Sequence, residues 1–331
     1  MHMADALLSP AVGTAMWGVT AGAIALSSRK VTRTLDDRKI PLMGVMGAFV
    51  FAVQMINFSI PGTGSSGHLG GGLLLAALLG PHAAFLTMAS VLIVQALFFA
   101  DGGLLALGCN IFNLGIFPCF IAYPLVYRQI VGQKATARWR IMLASVVAAI
   151  IGLQLGAFAV VLETVLSGVA ELTLPAFALL MQPIHLAIGL VEGLATATVI
   201  IFLATARPDI LDGVEVAATQ QVRSLRGVVM ALLAVTILVG GFFAWFASSQ
   251  PDGLEWALEK AGFEANPELS ETHHSLQQIQ EKTAILPEYD LPEGSGTNRG
   301  TSLSGLIGSG LTMVVAGGVI LLLRRRRKES G

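Results

Sequence analysis

Two histidines, His2 and His68, combine with the start of the chain into a set of residues able to bind a metal. The α-amine of Met1, the backbone amide of His2 and the Nδ1 atom of its imidazole can chelate one cation in fused small rings. These donors leave one corner of a near-square plane open, and the imidazole of His68 can fill it. Square-planar nitrogen sites favour Ni(II) or Cu(II), or Co(II) if the protein imposes the plane, whereas Zn(II), Mg(II) and Ca(II) prefer other geometries or oxygen ligands. The pattern predicts a transition-metal site; on spacing alone, the alternative is that His68 is a hydrogen-bonded loop residue.

The elements that must position these residues are membrane helices. Of the 331 residues, 54% are hydrophobic and 12% are charged, about half the ~25% charge of a soluble domain, and the mean hydropathy is +0.73. This composition excludes a soluble enzyme domain. No segment alternates with period two as a transmembrane β-strand would, so we expect an all-α multi-pass membrane protein. The apolar stretches cover residues 11–28, 41–57, 69–100, 104–127, 141–166, 176–204, 227–247 and 305–323.

The distribution of Lys and Arg predicts the topology. If residues 69–100 cross twice with a turn at Gly80-Pro81, 17 of the 20 positive residues lie on one side, including the run Arg324–Lys328. A single crossing splits them 8 against 12, and positive residues gather in the cytoplasm, so nine crossings are preferred. The N-terminus then lies outside and the C-terminus in the cytoplasm of a prokaryotic inner membrane. The arm at 69–79 is short for a full span, which predicts a broken or re-entrant helix.

The composition divides the chain into two units. Residues 1–205 form the first unit, residues 206–226 a polar cytoplasmic linker, and residues 227–331 a second unit of two spans around an outer loop, 248–304. That loop carries ten acidic and three basic residues. Asp252 is expected to be the N-cap of a helix with Glu255 in its first turn. The start of the chain lacks the basic region and cleavage site of a signal peptide, so we expect Met1 to be retained.

Polar residues within the spans are candidates for orienting the metal ligands. Asn110 and Asn113 share a helix face, because they are three residues apart. Each of these candidates could instead make a hydrogen bond between helices, worth about 0.6 kcal/mol on average. The candidates in this class are Gln54, Gln95, Asn110, Asn113 and Ser66.

The remaining ionisable residues are less clearly connected with the predicted metal site. Glu163, His185 and Glu192 lie in or near spans, where a proton or metal relay and structural pairing both fit, and nothing in the sequence places them near His2. His82 is expected to be structural, and His273 and His274 to be a solvated surface pair, with transient metal capture as the alternative. Cys109 and Cys119 form neither a disulfide framework nor a C-x-x-C metal pattern.

Small residues repeat at intervals of four along the first span. Such a face lets helices approach closely, either within the bundle or against a partner. The residues are Ala11/Ala15, Gly18/Gly22 and Ala21/Ala25.

Three segments of the first unit resemble the CbiM/NikM family. They are "MHMADALLSPAVG", "QMINFSIPGTGSSGHLGGGLLLAALLGP" and "LIVQALFFADGGLLALGCNIFNLGIF". Members of this family are the substrate-binding S-components of energy-coupling-factor (ECF) ABC transporters for cobalt and nickel. The segment "QPDGLEWALEKAGF" and the final span resemble the PDGLE-type (NikN-like) accessory subunit. The chain is therefore similar to a fusion of both components.

The resemblance implies a seven-helix first unit and a metal held by the Met1 amine, the His2 amide and imidazole, and His68. It also implies a transmembrane coupling (T) subunit and ATPase (A) subunits as partners, and the chain itself has no G-x-x-x-x-G-K-[ST] motif. The expected cargo is Ni(II) or Co(II), with nickel favoured; no resident cofactor, nucleic-acid partner or enzymatic activity is expected. The alternatives are an intramembrane hydrolase using Ser65 or Ser66 with His68, and a stand-alone channel or secondary transporter.

Overall fold

The computed structural model describes residues 2–34, 39–132, 137–169, 173–212, 225–263, 270–291 and 298–329. The first unit contains the expected seven helices over these residues. They are α1 (Pro10–Thr34), α2 (Lys39–Gln54), α3 (Gly72–Leu79), α4 (Pro81–Phe99), α5 (Leu107–Val131), α6 (Arg138–Ser167) and α7 (Leu174–Ala206). The second unit contributes α8 (Leu225–Gly241), α9 (Gly253–Lys260), α10 (Glu271–Thr283) and α11 (Asn298–Glu329).

Six of these helices, α1, α4, α5, α6, α7 and α11, are long and apolar enough to cross a membrane, and α2 and α8 are shorter apolar helices. Leucines such as Leu179, which is 75% exposed, face outward from them, as lipid-facing side chains do. The prediction of a helical multi-pass membrane protein is confirmed. Most of the predicted linker, residues 213–224, lies outside the described residues.

The arm before Gly80 is a broken helix rather than a full span. α3 has eight residues and is therefore about 12 Å long, against a hydrocarbon core of about 30 Å. Gly80 has a φ of +79° and Pro81 begins α4, so the predicted turn is where the sequence placed it. The backbone N–H of Asp212, beyond the end of α7, donates to the carbonyl of Ala77, so this turn lies at the end of α7.

Helix α5 has a wide central section that the sequence did not predict. It is α-helical over Leu107–Ile111 and π-helical over Phe112–Tyr127. Pro118 and Pro124 lie inside this section, where their missing N–H groups interrupt the regular hydrogen bonding of an α-helix.

A short hairpin leads directly to His68. Strand β1 (Phe58–Ile60) pairs antiparallel with β2 (Ser65–Gly67), with Phe58 opposite Gly67. A Cβ atom on Gly67 would lie 2.5 Å from Cδ1 of Ile188 in α7, so a larger residue here would require the Ile188 side chain to move. Because β2 ends directly before His68, the packing of the hairpin against α7 sets the position of His68 relative to this helix.

The second unit extends this hairpin and begins α9 as predicted. The N–H of Ser66 donates to the carbonyl of Pro251 at 2.8 Å. Asp252 Oδ1 accepts from the N–H groups of Leu254 and Glu255, and Glu255 Oε2 accepts from the Asp252 N–H, forming a capping box. The first turn of α9 is thus held beside β2.

The small-residue face of α1 does not pack within the bundle. All six of its residues are exposed, and a Cβ atom on Gly18 or Gly22 would meet no atom within 4 Å. Glycines allow close helix contacts elsewhere, for example between α6 and α7, where a Cβ on Gly193 would be 2.4 Å from Cα of Val146. The bundle alternative for the α1 face is wrong over the described residues.

Candidate metal centre

The imidazoles of His2 and His68 lie face to face. Their ring centroids are 5.0 Å apart and their planes differ by 7°. A metal binds an imidazole nitrogen through a lone pair in the plane of the ring, at about 2.0–2.1 Å, so a cation shared by both rings would lie at their edges, and at least one ring would have to turn out of this parallel stack. The structure thus brings together the two histidines that the sequence selected, although they are 66 positions apart in the chain.

His68 is held in a form suited to bind a cation. His68 is 9% exposed, and burial lowers the pKa of its imidazole from 6.5 to about 3. Burial disfavours the charged imidazolium, so the ring is neutral at physiological pH and keeps a lone pair for a metal.

The His2 ring is oriented by Asp101 and Tyr289. His2 Nδ1 lies 3.2 Å from Asp101 Oδ1, and the Tyr289 hydroxyl donates to Asp101 Oδ2. Burial raises the pKa of Asp101, but the nearby His2 imidazole and the hydroxyl outweigh it, so this pKa lies below its usual range. In the described part of the chain, His2 Nε2 is buried without a hydrogen-bond partner. A chelate through Nδ1 therefore requires a cation to replace the Asp101 contact.

Asn110 fixes the residue that follows His2. Its Oδ1 accepts from the N–H of Met3 at 2.8 Å, and its Nδ2 donates to the Met3 carbonyl at 3.2 Å. The N–H of Gly103 donates to the same carbonyl at 2.9 Å. The predicted orienting role of Asn110 thus has a geometric basis.

The loop carrying His68 is held by three polar side chains from other helices. Gln54 Nε2 donates to the Gly70 carbonyl at 2.7 Å, and Gln95 Nε2 donates to Gln54 Oε1. Glu192 Oε2 accepts from the N–H of Gly70 at 2.8 Å. Glu192 therefore supports the His68 loop, a role the sequence gave no reason to expect.

Most of the other candidates lie apart from the two imidazoles, but His185 lines a small cavity together with His68. Asn113 donates to Glu163 Oε2 at 2.7 Å, so it does not share the role of Asn110. His185 Nδ1 lies 2.7 Å from the Met181 carbonyl, and its Nε2 is buried without a partner in the described chain. His82 contacts Ser27, as a structural residue would. Cys109 and Cys119 are free and buried.

The serines are not arranged as a nucleophile and its base. Ser65 Oγ pairs with Thr63 Oγ1 at 2.8 Å. Ser66 Oγ donates to the carbonyl of Gln250, which ties the His68 hairpin to the second unit. The hydrolase alternative is not favoured, because both hydroxyls have structural partners.

His273 is buried in the structure, contrary to the prediction of a solvated pair. It is 6% exposed, and its Nε2 contacts the carbonyls of Leu8 at 2.9 Å and Asp5 at 3.1 Å. His274 is exposed, as expected. The prediction was wrong for His273 because its hydrogen-bond partners lie near the N-terminus, at least 265 positions away in the sequence.

A cavity of about 1040 Å³ opens above the two imidazoles, between the first unit and the outer segment of the second. His2 and His68 line it, and over the described residues no Lys or Arg does. A cleft lined by one sign of charge raises the local concentration of the opposite ion, so this cavity attracts cations. The acidic residues that line it are Asp5, Asp101, Asp252, Glu255, Glu288 and Asp290.

The two imidazoles are not part of a larger cluster of common metal-binding side chains in the described part of the chain. Over these residues, no group of three or more His, Cys, Asp or Glu side chains is placed to hold a metal. Met1 lies outside the described residues, so its amine and the fused chelate stay predictions.

The family matches divide the chain much as its composition does. Residues 2–210 match the cobalt uptake substrate-specific transmembrane region, CbiM. Residues 226–325 match the PDGLE domain.

Individual relatives match either nearly the whole chain or about two thirds of it. A protein of Archaeoglobus fulgidus named "putative fused nickel transport protein NikMN" is 34% identical over 95% of this chain and 96% of its own length. The cobalt transport protein CbiM of Sorangium cellulosum is 33% identical over 65% of this chain and 96% of its own. The crystal structure of a truncated transition metal transporter superimposes with a TM-score of 0.55 at 31% identity, covering 62% of this chain and 99% of that one. The chain belongs to the CbiM family of nickel and cobalt transport membrane proteins, in its NikMN-type form with a fused PDGLE domain.

Proposed function

We propose that the protein is the substrate-capturing S-component of an ECF-type ABC importer, with Ni(II) favoured over Co(II). The metal is cargo, held by the Met1 amine, the His2 amide and imidazole, and His68. The N-terminus faces outside and the C-terminus the cytoplasm, and residues 1–205 and 227–331 act as the metal-binding and accessory domains. The observation that supports this proposal best is the close approach of the His2 and His68 imidazoles beside an acidic cavity.

Delivery of the ion requires partners, because this chain has no ATP-binding motif of the Walker type. We propose that a T subunit and A subunits supply transport energy, and that the exposed small-residue face of α1 meets the T subunit. Six small residues in a lipid-facing position allow a second helix to approach closely.

Calorimetric titration of the purified protein with Ni(II) tests the binding site. We expect one ion per chain, with binding lost in His2→Ala, in His68→Ala and in a variant with one residue added before Met1. The extension keeps every side chain but removes the amine from the chelate. Unchanged affinity in the extended variant would refute the proposed donor set. Competition with Co(II) tests the preference, and tighter Co(II) binding would reverse it.

Uptake into proteoliposomes tests the partnership. We expect ATP-dependent Ni(II) uptake only when T and A subunits are reconstituted with this chain. Uptake by the chain alone would instead identify a channel or secondary transporter.

A further inference from the structure

Helix α10 of the second unit contacts two backbone segments that lie beside His2. One is the N-terminal segment that follows His2, and the other is the loop that contains Asp101. His273 and Gln280 lie seven residues apart and therefore on one face of this helix. His273 contacts the N-terminal segment at Leu8 and Asp5. Gln280 contacts the loop that contains Asp101.

The His273 ring is locked by partners on both nitrogens. Nε2 faces two carbonyl oxygens, which can only accept, so Nε2 carries the proton and donates. Nδ1 then accepts from the Ser270 hydroxyl at 2.7 Å. Ser270 precedes the first residue of α10, so the ring is fixed to the start of its own helix.

Gln280 contacts the second of these segments, the loop that contains Asp101. Its Nε2 donates to the carbonyl of Ala96 at 2.9 Å and to that of Gly102 at 2.8 Å. Gly102 follows Asp101, which contacts His2, and the next residue, Gly103, donates to Met3. One helix face thus holds the segment after His2 and the loop beside it.

We infer that His273 and Gln280 are positioning residues of the metal site, and that α10 preorganises the N-terminal segment for the cation. This inference rests on the proposed function. An N-terminal chelate is made of freely rotating backbone, so its ordering costs conformational entropy each time a metal binds. Contacts that order the segment beforehand remove part of that cost from the binding step.

The test compares single variants of the full chain, with Ni(II) as the probe. We expect His273→Ala and Gln280→Ala each to weaken Ni(II) binding by about 10- to 100-fold, the range found for residues that orient metal ligands. His274→Ala is the matched control, because His274 is the adjacent, exposed histidine, and it is expected to bind like the unmodified chain. His273→Gln retains a terminal N–H donor and is expected to recover most of the lost affinity.

Two readouts separate positioning from general stability. A structural defect lowers the melting temperature but leaves the affinity of the folded protein intact, whereas a positioning defect also speeds Ni(II) dissociation and broadens the visible spectrum of bound Cu(II). Equal affinity in His273→Ala and His274→Ala, or no recovery in His273→Gln, would overturn the inference while leaving the proposed function standing. Absence of Ni(II) binding by the unmodified chain would overturn the proposed function itself.

Discussion

Glu192 Oε2 accepts a hydrogen bond from the backbone N–H of Gly70 at 2.8 Å. The other oxygen of the same carboxylate accepts from the N–H of Gly71 at 3.1 Å. These amides precede α3, where a broken helix leaves N–H groups that need acceptors and favours negative charge. Because His68 lies two residues before Gly70, α7 holds the backbone that carries the proposed ligand.

Glu192→Gln should loosen this loop. The amide offers one acceptor oxygen in place of two, so one of the two backbone N–H groups loses its partner, at a cost of about 1–3 kcal/mol. We expect a lower melting temperature and several-fold weaker Ni(II) binding in a calorimetric titration.

The control for this substitution is Glu163→Gln, a second buried carboxylate that bonds to Asn113, away from the loop. It should leave the Ni(II) affinity unchanged. Equal Ni(II) affinity in Glu192→Gln and in the unmodified chain would show that the loop does not depend on Glu192.

Asn110 and Asn113 form a natural pair of test positions. Asn110 bonds to both the N–H and the carbonyl of Met3, whereas Asn113 bonds to Glu163. We expect Asn110→Ala to reduce the Ni(II) affinity about 10- to 100-fold, because residues that orient metal ligands typically contribute that much. Asn113→Ala should bind Ni(II) normally, and a similar loss in both variants would contradict a local role for Asn110.

The sequence predicted the local features well. The capping box at Asp252, the turn at Gly80-Pro81 and the helical spans each depend on residues close together in the chain, so their patterns were sufficient. The pairing of His2 with His68 came from metal chemistry and family resemblance rather than from packing.

The long-range contacts could not be predicted in the same way. Glu192 and Gly70 are 122 positions apart, and His273 and Leu8 are 265 apart. No periodicity links such residues. The acidic sequence around His273 is typical of a solvent-exposed loop, so the sequence predicted an exposed side chain. The π-helical section of α5 was missed because proline inside an apolar span predicts a kink or break before it predicts wider turns.

Gly253 should be intolerant of any side chain. A Cβ atom there would lie 2.6 Å from Cγ2 of Ile184 and 3.3 Å from Cε1 of His185, both in α7. We expect Gly253→Ala to push α9 away from α7 and to reduce ATP-dependent Ni(II) uptake severalfold. Gly310→Ala is the control, because a Cβ on that helical glycine meets nothing within 4 Å, and uptake should be preserved. Normal uptake by Gly253→Ala would show that the contact between α9 and α7 is dispensable.

The buried imidazole of His68 should make the metal-free protein acid-sensitive. Its pKa is about 3 in the folded state against 6.5 for an unperturbed histidine, so the unfolded chain binds a proton that the folded chain excludes. Stability from this group is complete above pH 6.5 and is lost as the pH falls toward 3, by on the order of 2 kcal/mol between pH 7 and pH 5. Melting temperatures measured without metal at both pH values should show this loss. His68→Gln, which has no titrating ring, should show a smaller decrease; an identical decrease in both proteins would mean that His68 is protonated in the folded state or that other groups set the acid sensitivity.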